Sequence, residues 1–236
     1  MNIVLQNISK SFGSQNVLKN INLHVVDNEI FGLLGPSGAG KTTLIRLITG
    51  AIEADEGKLT IDNFEIPSHE ALKIIGFMPQ EDALYTDLSG LDNLRFFGGL
   101  YKLKKETLSN RIDEVLTLVD LHSDTSKRVS LYSGGMKKRL SLSIALLHNP
   151  KLLILDEPTV GIDPLLRKKI WDEFFELKRQ GHTIIVTTHV MDEAVKCDRL
   201  GLIYHGNLIA CDTVQNLLKK TQNNLLEELF FINNKA

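Results

Sequence analysis

Gly35-Pro36-Ser37-Gly38-Ala39-Gly40-Lys41-Thr42 has the spacing G-x-x-x-x-G-K-[ST], and these residue types suit a loop that wraps a phosphate chain. Glycines let the backbone approach an anion closely. Successive N–H groups and the positive end of a following helix then face its oxygens. Lys41 is expected to place a point charge at the β- and γ-phosphates, Thr42 to offer its hydroxyl to Mg²⁺, and Thr43 to donate to a phosphate oxygen. A second run, Leu152-Leu153-Ile154-Leu155-Asp156-Glu157, is apolar until it ends in two carboxylates. Ligands bind at the C-terminal edge of a parallel sheet. At such an edge Asp156 is expected to hold Mg²⁺ through water, and Glu157 to orient and polarise an attacking water as general base. Alone, this run could equally be a capped strand end. Together with the phosphate loop it points to hydrolysis of a nucleoside triphosphate.

Both runs need a sheet behind them. Ile3 to Ile8 and Leu18 to Val25 read as strands separated by turn-forming Gly13, Ser14 and Asn16, and Glu29 to Leu34 as a more buried strand leading into the phosphate loop. Lys41 to Thr49 has the apolar spacing of a buried helix ending at Gly50. From about residue 84 to 149 the pattern turns helical, with Leu91 to Tyr101, Lys104 to Val119 and Gly135 to Leu147 as candidates, which predicts a helical subdomain inserted in an α/β core. Strand Leu152 to Leu155, helix Leu165 to Arg179 and strand Thr183 to Thr187 then imply a parallel sheet. Arg199 to Tyr204 and Asn207 to Ala210 form a last strand pair turning at His205-Gly206, and the tail, about 214–236, reads as helical. The expected fold is thus a single α/β domain over 1–236. It has a P-loop core with a parallel sheet, a small N-terminal antiparallel β subdomain and the helical insertion.

Tyr132-Ser133-Gly134-Gly135-Met136, shortly before the Asp-Glu run, resembles the LSGGQ signature of ATP-binding cassette (ABC) proteins. Physically it is another anion cradle: Ser133 and the amides of Gly134 and Gly135 open a helix whose N-terminus favours negative charge. Tyr132 and Met136 stand where Leu and Gln are usual in the signature, so the family's contacts do not transfer to those two side chains. Gln80 in Phe77-Met78-Pro79-Gln80 resembles the Q-loop, Asp163 in Gly161-Ile162-Asp163-Pro164 the D-loop, and His189 in Thr187-Thr188-His189 the switch histidine. Each of these is weak alone, and their joint order carries the match. The resemblance implies that ATP is the nucleotide, that Gln80 reaches Mg²⁺ or the attacking water, that His189 bonds the γ-phosphate, and that Phe12 stacks on adenine.

The resemblance covers about residues 2–212. It implies a head-to-tail pair with a second ATP-binding subunit, identical or closely homologous, in which Ser133 serves the ATP held by the partner's phosphate loop. It also implies a transmembrane permease that docks near Gln80, with 81–87 as the contact zone. The wording of 161–212 and the Met in the signature resemble exporter subunits for drugs, antibiotics or polysaccharides. A different reading is a soluble cassette ATPase acting on ribosomes or DNA. Those relatives usually carry two cassettes, a long coiled coil or a zinc insert, none of which is present here. A binding module without catalysis is disfavoured because Lys41, Asp156, Glu157 and His189 all occur.

Composition agrees. The 236 residues are 43% hydrophobic and 24% charged, enough for a sizeable core, and the formal net charge of -2 gives no general attraction to nucleic acid or anionic lipid. Cys197 and Cys211 are too few for a disulfide framework, and the histidines show no metal-ligand spacing, leaving Mg²⁺ as the one metal expected. The longest apolar-looking stretch, Leu140 to Leu147, is interrupted by serines and far short of the roughly 20 residues that span a bilayer. The chain is therefore expected to be cytoplasmic, without direct membrane insertion, and held at the inner face of the membrane through its permease. Lys137-Lys138-Arg139 reads as the solvated face of the signature helix.

Overall fold

In the computed structural model, which describes residues 1–81 and 83–232, the first strands form because apolar side chains recur on one face. β1 (Ile3–Phe12) buries Ile3, Leu5 and Ile8, and β2 (Gln15–Val25) buries Leu18, Ile21, Leu23 and Val25. β3 (Ile30–Leu34) is buried at all five positions, as a strand covered on both faces must be. α1 (Lys41–Ile48), β4 (Glu56–Ile61), β5 (Phe64–Glu65), α2 (His69–Leu72) and β6 (Ile75–Met78) follow. Then come α3 (Gly90–Leu100), α4 (Lys105–Val119), α5 (Gly134–Leu146), β7 (Leu152–Asp156) and α6 (Pro164–Arg179). The last elements are β8 (Thr183–Thr188), α7 (Met191–Ala194), β9 (Arg199–Tyr204), β10 (Asn207–Thr213), α8 (Val214–Leu218) and α9 (Glu228–Ile232). The elements read from the sequence are all present, with ends shifted by a few residues, whereas β4, β5, α2, β6 and α7 had no counterpart in that reading. The expected helical tail is two short helices, and its residues 233–236 lie outside the described residues, as does Asp82 of the 81–87 segment.

The chain forms two compact units, one of residues 1–72 with those from 183 onward, the other of residues 73–182. The first unit holds an antiparallel sheet in the order β2-β1-β4-β5 and a mixed group in the order β10-β9-β3-β8. There β3 runs parallel to both β8 and β9, and β10 antiparallel to β9. The second unit holds the parallel pair β6-β7 and helices α3 to α6. α4 is amphipathic, burying Ile112, Val115, Leu116 and Val119, while α5 buries every residue from Leu140 to Leu146, as a helix in the middle of a core does. Side-chain caps start α3 at Ser89, α5 at Ser133 and α6 at Asp163.

Candidate active site

In the first unit, β3 and β8 pair with Leu34 opposite Thr188, so the phosphate loop and His189 leave the sheet at the same strand edge. Pro36, Ser37 and Gly38 are exposed at the crest of the loop, while Gly35, Ala39, Gly40 and Lys41 are buried behind it. A Cβ on Gly35 would lie 2.3 Å from the Ile203 carbonyl oxygen, and Gly40 holds φ at 110°, against Leu18, so neither position accommodates another residue without a shift. The Lys41 Nζ donates to the carbonyls of Gly35 and Pro36 at 2.8 and 3.0 Å, which folds the ammonium into the loop. Thr42 and Thr43 stand in the first turn of α1, half-buried. The loop is fastened from behind: Gly206 N–H donates to the Ala39 carbonyl at 3.1 Å, and Lys19 N–H to the Gly206 carbonyl at 2.8 Å.

The switch loop is set by buried Thr188. Its hydroxyl donates to the Glu193 carboxylate at 3.0 Å and accepts from the Val190 N–H at 2.9 Å, leaving His189 exposed between them. Phe12 ends β1 half-exposed, with the Lys10 ammonium 5.6 Å from its ring centre and Lys10 tied to Asp55 at 2.6 Å. A ring so placed offers a face to a planar base.

In the second unit, β6 and β7 pair with Met78 opposite Leu155, so Gln80 and the Asp156-Glu157 pair leave from one edge. Asp156 is buried, and Glu157 takes φ of 53°, a left-handed conformation that a Glu side chain rarely adopts and that marks strained functional positions. Ser133 caps α5 by accepting from the Met136 N–H at 3.2 Å. The α carbon of Gly135 faces the Gly161 carbonyl, where a Cβ would come within 3.4 Å, so the signature and D-loop segments meet. Asp163 caps α6, accepting from the Leu166 N–H at 3.0 Å with Pro164 next to it, a local task for this residue type within its own chain.

The tasks of three side chains here went unread in the sequence. Tyr132 is buried and its hydroxyl donates to the Asp124 carbonyl at 2.8 Å, anchoring the segment that carries Ser133. The Lys137-Lys138-Arg139 run is not simply a solvated face. The Lys138 Nζ donates to the Glu157 main-chain carbonyl at 3.1 Å, linking the signature helix to that strained backbone, and the Arg139 guanidinium donates to the Val119 and Asp120 carbonyls at 3.1 and 2.6 Å. The latter satisfies carbonyls at the end of α4, where Asp120 takes the left-handed cap conformation. For a metal, the first unit offers the Thr42 hydroxyl, and the second the Asp156 carboxylate and the Gln80 carboxamide oxygen. Each is a hard oxygen donor of the kind Mg²⁺ takes.

A family model described as ABC transporter matches residues 18–160. The linearmycin resistance ATP-binding protein LnrL of Bacillus subtilis is 41% identical over 218 residues, 91% of this chain and 70% of that protein. The Nod factor export ATP-binding protein I of Bradyrhizobium diazoefficiens is 41% identical over 213 residues, 89% of this chain and 70% of that one. The ABC transporter G family member 20 of Dictyostelium discoideum is 40% identical over 97% of this chain, which spans 32% of that protein. The chain thus spans between about a third and seven-tenths of these relatives. Among solved structures, an ATP-binding subunit of an ABC transporter superposes with TM-score 0.91 at 26% identity, covering 99% of this chain and all of that one. A dimeric bacterial ABC transporter cassette gives TM-score 0.84 at 27% identity, over 89% and 98%. A dimeric cassette in a post-hydrolysis state with ADP and Pi gives 0.82 at 28%, again over 89% and 98%.

Proposed function

Because the chain belongs to the ABC transporter family, we propose that it is an ATP-hydrolysing motor subunit whose cycle of pairing and separation drives export through a separate membrane-spanning partner. The observation that carries this reading is the common exit of functional segments from paired parallel strands: the phosphate loop with His189, and Gln80 with Asp156 and Glu157. The backbone amides of Gly35 to Thr43 and the Lys41 ammonium hold the phosphates, and Phe12 stacks on the adenine. Thr42, Gln80 and Asp156 would hold Mg²⁺, which would offset the charge on the phosphates. Glu157 accepts a proton from the attacking water, Gln80 helps orient that water, and His189 bonds the γ-phosphate.

Ser133, Gly134 and Gly135 close on the nucleotide of a second subunit, and Asp163 lies at that interface. Support comes from the dimeric cassettes among the structural neighbours and from the exposed N-terminus of α5, at which Ser133 and Gly134 face solvent. Export is supported by relatives named for linearmycin resistance and Nod factor export. No helix among the described residues is long and apolar enough to cross a membrane. Contact with the permease at the cytoplasmic face falls to the segment after Gln80. There exposed Tyr85 packs edge-on against exposed Phe96 at 4.7 Å between ring centres, and buried Asn93 bonds both the N–H and the carbonyl of Tyr85 at 2.9 and 3.0 Å.

The test pairs two substitutions. Glu157→Gln keeps shape but cannot take a proton, so hydrolysis should fall by about 10²–10⁴ while ATP and Mg²⁺ still bind, and an ATP-bound dimer should accumulate on size exclusion. Lys41→Ala should instead weaken ATP binding and trap no dimer. Near-normal turnover in Glu157→Gln would remove it from the role of base.

A further inference from the structure

The C-terminal segment builds a second cavity next to the phosphate loop. Leu226 and Leu229, each 2% exposed, anchor it in the first unit. The Glu228 carboxylate closes the turn before α9 by accepting from the N–H groups of Gln222 and Asn223 at 2.6 and 3.2 Å. Held this way, the neighbouring Glu227, Phe230 and Phe231 form one side of a cavity of about 360 Å³, whose other side includes Pro36, His189 and Tyr204. That volume falls within the range of small-molecule sites. The Tyr204 and Phe230 rings, both in the cavity wall, lie 5.9 Å apart at 57°.

The chemistry of the walls narrows the ligand. Aromatic faces carry the negative part of the ring quadrupole and attract cations. The carboxylate on the rim is Glu227, which forms no ion pair among the described residues, and neither lysine nor arginine lines the cavity. At the end built by Glu227, Phe230 and Phe231, as opposed to the wall of Gly35, Pro36 and His189, an anion would meet that carboxylate and the negative ring faces together, and a neutral apolar molecule would gain nothing from Glu227. We propose that this cavity binds an amphiphilic organic cation, with its apolar body against Tyr204, Phe230 and Phe231 and its charged end at Glu227. The cavity adjoins the nucleotide cradle and shares Gly35, Pro36 and His189 with it, so an occupant touches two loops of the ATP site. Binding of nucleotide and of cation must then influence each other reciprocally.

Three soluble probes with one ring and different charge test this on the full chain by saturation-transfer NMR: benzyltrimethylammonium, benzyl alcohol and phenylacetate. The expected order of affinity is cation, then alcohol, then anion, and AMP-PNP should shift the affinity for the cation. Glu227→Gln should weaken the cation by about threefold and leave benzyl alcohol unchanged. Phe231→Ser, at a side chain 70% exposed and therefore harmless to the fold, should weaken both cation and alcohol. Absence of saturable binding by the cation, equal affinity for phenylacetate, or binding indifferent to Phe231→Ser would each overturn the proposal. These readouts do not depend on ATP hydrolysis, so they stand apart from the tests of Glu157 and Lys41.

Discussion

Alanine at Gly90 should set the first turn of α3 against the segment that carries Ser133. A Cβ there would lie 2.3 Å from the Tyr132 hydroxyl oxygen and 3.2 Å from its Cζ. That hydroxyl, on a residue 6% exposed, donates to the Asp124 carbonyl. The added methyl can be accommodated only by pushing the oxygen off its acceptor. One lost buried hydrogen bond costs about 1 kcal/mol, and the displaced ring raises the total for Gly90→Ala to about 2 kcal/mol. Tyr132→Phe removes the same oxygen and should cost about 1 kcal/mol. In the double variant the nearest atom is the ring carbon, which a shift of a few tenths of an ångström accommodates, and the hydrogen bond cannot be lost twice. Its cost should be about 1.5 kcal/mol instead of the additive 3, a coupling of about 1.5 kcal/mol. Urea unfolding of the four proteins measures this, and ATPase rates measured alongside show whether the displaced segment matters to turnover. Additive costs, within about 0.5 kcal/mol, would refute the argument that Tyr132 holds this segment through its hydroxyl.

The pH dependence of stability should carry a mark of His148. Its ring stacks on Tyr101 at 3.6 Å, Nε2 donates to the Ile75 carbonyl at 3.1 Å, and burial foremost lowers its pKa from 6.5 to about 4. The unfolded chain therefore binds more protons between those values, and stability falls as pH drops from about 6.5 to 4. That difference corresponds to roughly 3.4 kcal/mol, and discounting for solvent screening of a half-buried ring leaves about 2 kcal/mol. His148→Phe should flatten that part of the profile in urea titrations across pH; an unchanged slope would refute the assignment. Arg139→Ala should destabilise by about 1.5–3 kcal/mol through two lost charge-assisted bonds, whereas Lys137→Ala should change the melting temperature little. Glu157→Asn should stop hydrolysis yet raise stability by about 0.5–1 kcal/mol, because Asn tolerates the left-handed backbone. Calorimetry beside an ATPase assay reads both effects.

The phosphate loop was legible because its chemistry dictates residue types at fixed spacing, and α5 because serine at its start and leucines along it fit a capped, buried helix. β4 escaped notice because Glu56, Gly57 and Lys58 are exposed, leaving three residues to show alternation. β6 has only four residues, one a glycine. The roles of Lys138 and Arg139 were hidden for another reason: their acceptors are main-chain carbonyls some twenty positions away, and no local pattern names a carbonyl. Tyr132 stood out in the sequence only as a departure from leucine, since its purpose depends on Asp124 and Gly90. The strain at Glu157 was equally unreadable, because glutamate, unlike glycine or asparagine, does not announce a positive φ.

The fastening of the phosphate loop from behind has a consequence for synthesis. Ala39 and Gly206, whose backbones bond at 3.1 Å, are 167 positions apart, and β3 takes both its neighbours, β8 and β9, from residues after 182. A nascent chain therefore exposes the glycine-rich segment early but has nothing to brace it until the ribosome has passed residue 206. Loops closed over such distances form late. Competence to hold nucleotide thus becomes a signal that translation has passed residue 206, and a chain interrupted before the last strand pair would be unable to occupy a partner's interface with ATP of its own.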